Sequence, residues 1–148
     1  MRKDVLKILG LDAEPIKPVY GPNDSTSPNY TTPFKPDIDD LTKLYEFALQ
    51  RKATTILEFG SGYSTLILAA AMQKNKARFE ADEKILELRR NNPFEIHSIE
   101  CSEYWLSNTQ KIIPGWCRER SHLHYSSCSI GTFNGKMVHY YDKLPNIM

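Results

Sequence analysis

The chain has almost no excess of charge of either sign: 19 Lys and Arg stand against 18 Asp and Glu, a formal charge of +1. Such a balance offers no global field to draw in nucleic acid or an anionic membrane, so nucleic acid is not indicated as a partner. Long apolar runs are also lacking. The longest, Leu66 to Met72, falls far short of the roughly 20 residues a spanning helix requires, so no membrane segment is expected. Cysteine is scarce: Cys101, Cys117 and Cys128 are odd in number and show no CxxC spacing. No basic-then-apolar leader opens the chain, and together these features predict a cytoplasmic protein with reduced thiols. Internal repeats are absent, which excludes solenoids.

At 148 residues the chain suits one compact domain preceded by an arm. Met1 to Leu11 reads as a short helix stopped by Gly10, part of a proline-rich N-terminal arm over residues 1–36. From Pro15 to Pro36 six prolines are mixed with Gly, Asn, Ser and Thr, which favours irregular backbone. Tyr20, Tyr30 and Phe34 give that arm apolar surface to pack over the domain as a lid.

The domain proper is read over residues 37–148. Asp37 caps a helix from Ile38 to Arg51 whose Leu41, Leu44, Tyr45, Ala48 and Leu49 share a face. Thr54 to Phe59 is a short strand, Gly60 to Tyr63 a turn, and Ser64 opens a helix through Leu66, Ile67, Ala70 and Ala71. Lys74 to Arg90 continues that helix or forms a second one, an insertion with a charged face. Ile96 to Glu100 is the second strand, and Ser102 caps a helix with Trp105, Thr109 and Ile112 on one side. Leu123 to Ser126 is the third strand, and Asn134-Gly135 between two β-rich runs is a type I′ hairpin signal. The βαβαβ order predicts an α/β fold, a Rossmann-like sheet with flanking helices that is incomplete, plus a C-terminal β-hairpin.

The chemistry concentrates in Glu58-Phe59-Gly60-Ser61-Gly62-Tyr63-Ser64. Glycines between strand and helix let backbone approach a nucleotide closely. A dinucleotide fingerprint would place a third glycine where Thr65 stands, and a phosphate loop would end in Gly-Lys-Ser/Thr; neither is present.

What remains, an acidic-x-Gly-x-Gly loop after the first strand, resembles the first motif of class I S-adenosylmethionine-dependent methyltransferases. The likeness extends over roughly Thr54 to Tyr141 and matches the N-terminal half of that fold. It implies that Glu58, Gly60, Ser61 and Gly62 lie against the amino-acid part of S-adenosylmethionine, with the Ser64 and Thr65 hydroxyls toward its carboxylate. Glu100, ending the second strand, matches the family acid that accepts both ribose hydroxyls. The 42 residues separating it from Glu58 exceed the usual spacing of about 20, which the Lys74 to Arg90 insertion explains. After the third strand the likeness points to Ser126, Ser127 and Cys128 around adenine. S-adenosylmethionine is thus the implied cofactor, S-adenosylhomocysteine the product and an unidentified methyl acceptor the second substrate.

The family's fourth strand has no counterpart before Met148, so the domain reads as truncated and the first strand as an open edge that predicts self-association. No catalytic base is assigned, because Asp142 leaving a hairpin strand reads as solvent-facing. His122 and His124 point to one side of a strand, but neither they nor the cysteines have zinc-finger spacing, and no metal site is assigned. The competing readings are a non-catalytic Rossmann-fold remnant or interaction module, and a nicotinamide-cofactor protein.

Overall fold

The computed structural model describes residues 1–11, 36–82, 88 and 94–147. Its elements are α1 (Arg2–Ile8), α2 (Ile38–Gln50), β1 (Thr55–Phe59), α3 (Tyr63–Glu80), β2 (Glu95–Glu100), α4 (Glu103–Ile112), a 3-10 turn (Gly115–Arg120), β3 (Ser121–Tyr125), β4 (Cys128–Phe133) and β5 (Lys136–Tyr141). The fold is α/β: a parallel sheet in the order β1-β2-β3, flanked by helices, with β4 and β5 as a separate antiparallel hairpin. The register sets Ile56 beside Ile96 and His97 beside His122.

The organising element is α3. Thr65 through Met72 are all buried, and a helix apolar on every side must be enclosed by other elements. It packs on α2, on β1 and β2 and on the 3-10 turn. Its three consecutive alanines, Ala69 to Ala71, allow close approach. Asn75, further along, donates from its side-chain amide to the carbonyls of Ala48 and Ala53, both at 3.0 Å. That ties the C-terminal end of α2 to α3. Asp37 caps α2 as its sequence position implies, accepting from the amides of Asp39 and Asp40 at 3.0 Å.

Two expectations are refined. Met1 to Leu11, read as part of an arm, contributes fully buried Val5 to the core through the packing of α1 on α2 and α3. Lys74 to Glu80 is the uninterrupted continuation of α3, which ends at Ala81, and Lys76 meets Glu80 at 3.6 Å on its surface. The rest of the expected insertion lies largely outside the described residues. So does the proline-rich segment with Tyr20, Tyr30 and Phe34, including the lid reading.

By the alternation of strand side chains, Ile56, Glu58, Ile96, Ser98, Glu100 and Leu123 point to the face that carries the helices. Leu57, Phe59, His97, Ile99, His122 and His124 point to the other. The hairpin meets that second side, where Tyr141 stacks on Phe59 with ring centroids 5.6 Å apart. Asn134 (φ 49°) and Gly135 (φ 74°) form its turn, the backbone pair that a type I′ connection requires. Among the described residues the outer edge of β1 pairs with no strand. No described helix is long and apolar enough to cross a membrane.

Candidate functional site

Parallel strands joined by helices leave a crevice at their carboxyl ends, where ligands of α/β sheets bind. Here that crevice is a cavity of about 570 Å³, within the range of small-molecule sites. Its floor is Gly60, Ser61, Gly62, Tyr63 and Ser64; Glu100 closes one side, the start of α2 another, and Trp105, Asn108, Thr109 and Ile112 of α4 the third.

The loop is shaped by two carboxylates. Glu58 accepts from the hydroxyls of Ser64 (2.5 Å), Thr65 (2.7 Å) and Ser98 (2.5 Å). Thr65 Oγ1 in turn accepts from the Gly62 amide at 3.1 Å. A relay therefore runs from loop backbone to hydroxyl to carboxylate, with short, charge-assisted hydrogen bonds at its end. Glu100, 8% exposed, accepts from the Ser61 amide at 3.1 Å through Oε2 and from the Ser102 amide at 3.0 Å through Oε1. The Ser61 and Thr109 hydroxyls lie 3.0 Å apart, so Glu100, Ser61 and Thr109 join strand end, loop and helix. Gly60 holds φ at 95°, a left-handed value that favours glycine, and its amide donates to the Ile99 carbonyl at 2.7 Å. A Cβ built on Gly60 meets nothing within 4 Å, so backbone conformation sets the requirement there.

Of the residues singled out from the sequence, Gly60, Ser61, Gly62, Ser64 and Glu100 come together around the cavity. Glu58 and the fully buried Thr65 sit beneath the loop. The Ser64 and Thr65 hydroxyls, expected to face a ligand carboxylate, donate to Glu58 instead. Cys128 stands exposed at the start of β4, outside the cavity lining. It hydrogen-bonds the Cys101 thiol, whose pKa is raised by burial and by that contact. Ser127 and Asp142 close the base of the hairpin, the Ser127 hydroxyl donating to Asp142 at 2.5 Å and the Asp142 amide to the Ser127 carbonyl at 2.9 Å.

Sequence reasoning missed two things. Asp37, Asp40, Trp105 and Asn108 line the cavity; the spacing of Trp105, Asn108, Thr109 and Ile112 along one helical stripe was readable, but such a stripe suggests core. The second is a histidine cluster on the far face of the sheet. His97 Nδ1 lies 3.0 Å from His124 Nε2, and Glu95 lies 3.2 Å from both His97 Nε2 and His122 Nε2. Burial, then the proximity of His97 and His122, lowers the pKa of His124. Only the β2-β3 register brings these residues together.

Comparison with family models, with curated proteins and with solved structures finds no match to this chain.

Proposed function

We propose that this chain is a Rossmann-like domain of the class I methyltransferase type that binds S-adenosylmethionine at the carboxyl ends of β1 and β2. The observation that carries the reading is the shared cavity: the β1-α3 glycine loop and the strand-end acid Glu100 face one space of about 570 Å³. Glycine backbone under a nucleoside and a carboxylate for its ribose hydroxyls are the two elements such a ligand needs. Asp37 and Asp40 line the same wall, the first capping α2 and the second paired with Lys43 at 3.0 Å.

Bound S-adenosylmethionine would supply a methyl group for in-line transfer to an acceptor atom, with S-adenosylhomocysteine as the product. The residues of this chain contribute binding and orientation. Glu100 would hold the ribose hydroxyls, Trp105 lines the same cavity and the Glu58 relay holds the loop. Calorimetric titration with S-adenosylmethionine, S-adenosylhomocysteine and NAD tests the reading. One site for the first two ligands and none for NAD is expected; binding of NAD alone, or of nothing, contradicts it.

A second reading, an interaction module without catalysis, draws on the open edge of β1 and on exposed Phe59, Ile130, Phe133 and Met137. Unpaired strand edges and exposed apolar groups invite another chain, a second copy included. It predicts silence toward all three ligands in the same titration.

A further inference from the structure

Glu95 and His97 stand two residues apart on β2, and His122 and His124 two apart on β3, so strand alternation aims all four at the face opposite α3 and α4. The pairing of His97 with His122 converts these separate repeats into one cluster. One ligand atom from each of Glu95, His97 and His122 lies within 4.8 Å of the others.

The hydrogen-bond arrangement within the cluster selects a cation. His97 is 7% exposed, and its buried Nε2 has no hydrogen-bond partner among the described residues; its approach to Glu95 at 3.2 Å lies outside hydrogen-bonding geometry. On the other side of the ring, Nδ1 faces His124 Nε2 at 3.0 Å. When Nδ1–H donates there, the Nε2 lone pair lies in the ring plane on the Glu95 side, while the His122 ring stacks on the face of His97 with centroids 4.7 Å apart, so that a modest turn of His122 brings its Nε2 to the same point. An imidazole whose far nitrogen is held by a second group is the usual posture of a metal-ligating histidine. A buried acceptor facing a carboxylate is costly unless a proton or a metal cation stands between them.

We propose that Glu95, His97 and His122 form a binding site for a divalent transition-metal ion, zinc in the first instance, with His124 orienting His97. Two imidazoles and a carboxylate are an established three-residue donor set for zinc. Glu95 meets His97 Nε2 through Oε1 and His122 Nε2 through Oε2, each at 3.2 Å, and one donor atom from each residue lies within 4.8 Å of the others, against an edge of about 3.3 Å for a tetrahedron with metal–ligand bonds near 2.0–2.1 Å. Closure onto one ion brings all three donors to that spacing. His122, whose side chain is 40% exposed, places the fourth position toward solvent. The ion would link β2 to β3 on the side where no described helix packs. This site lies apart from the glycine-loop cavity and does not depend on what that cavity binds.

The test is zinc titration of the chelator-treated full chain against a colorimetric indicator, followed by cobalt(II) substitution. The expected result is one ion per chain with Kd below about 1 μM, tighter than scattered surface histidines achieve. Cobalt should give four-coordinate visible bands without thiolate charge transfer. His122→Ala, at a half-exposed position and with an unchanged circular dichroism spectrum as the check of folding, should weaken zinc at least about tenfold. The double variant C101S/C128S should leave affinity unchanged. Failure to bind zinc below that level, indifference to His122→Ala, or a thiolate band lost in the cysteine variant would each overturn the proposal.

Discussion

The two faces of the three-stranded sheet handle polar groups in opposite ways. Toward α3 and α4, Ile56, Ile96 and Leu123 join the apolar core, and the carboxylates among them, Glu58 and Glu100, are occupied by hydroxyl and amide donors. On the other face His97 is as deeply buried as Glu100, yet its Nε2 has no hydrogen-bond partner among the described residues. A buried polar group is stable only when satisfied. The helix face achieves this with the chain's own donors and so has a fixed shape; on the reading proposed above, a cation from outside completes the histidine face. One sheet thus carries a preorganised crevice at its carboxyl end and a cluster of bases across its back.

The largest effect should come from the helix side. Ile67, fully buried in α3, should cost about 2–5 kcal/mol of stability when changed to alanine, through lost burial and the cavity left behind. Leu57, half-buried on the opposite face, should cost about 1 kcal/mol in the same substitution. Denaturant melts of both variants check this, and equal losses would erase the distinction between the faces.

Next in size, Glu100→Ala should weaken S-adenosylmethionine binding by about 1–3 kcal/mol, because it removes a charged acceptor from the cavity wall. Calorimetry on a variant whose melting temperature is recorded alongside separates ligand loss from unfolding. Unchanged affinity would mean that Glu100 serves only the Ser61 and Ser102 amides.

The smallest effect belongs to the hairpin. Hydrogen bonds from Ser127 and then Ser129 hold the Asp142 carboxyl below its ordinary 3.8. A depressed folded value means that the ionised form stabilises the hairpin base above pH 3.8, and that this contribution fades as pH falls through the lower folded value. Amide shifts of Ser127 and Asp142 followed by NMR through acid should titrate below 3.8; a midpoint at or above it would remove the contact from the solution structure.

How much of this was legible depended on whether the signal was local. Asp37 as a cap, the Thr54 to Phe59 strand, the Gly60 to Tyr63 turn, the Ser102 cap and the Asn134-Gly135 hairpin are each written in a few consecutive residues, and each has its counterpart in the structure. The placement of Gly60, Ser61, Gly62, Ser64 and Glu100 around one cavity was readable because strand-loop-helix order brings strand ends together. The destination of the Ser64 and Thr65 hydroxyls was not, since Glu58 competes for them from below the loop. Nor was the histidine cluster, because alternation gives the face of each strand and only the register gives its neighbour. Trp105 and Asn108 show a third kind of miss: a helical stripe looks the same whether it meets a core or an empty cavity.

The most direct test of the central claim is titration of S-adenosylmethionine into isotope-labelled protein, with amide shifts mapped residue by residue. A ligand seated on the glycine loop should perturb Gly60, Ser61, Gly62, Glu100 and Ser102 strongly while leaving His122, His124 and Cys128 unmoved. Shifts confined to the hairpin or the histidine face, or no shifts at saturating ligand, would contradict it.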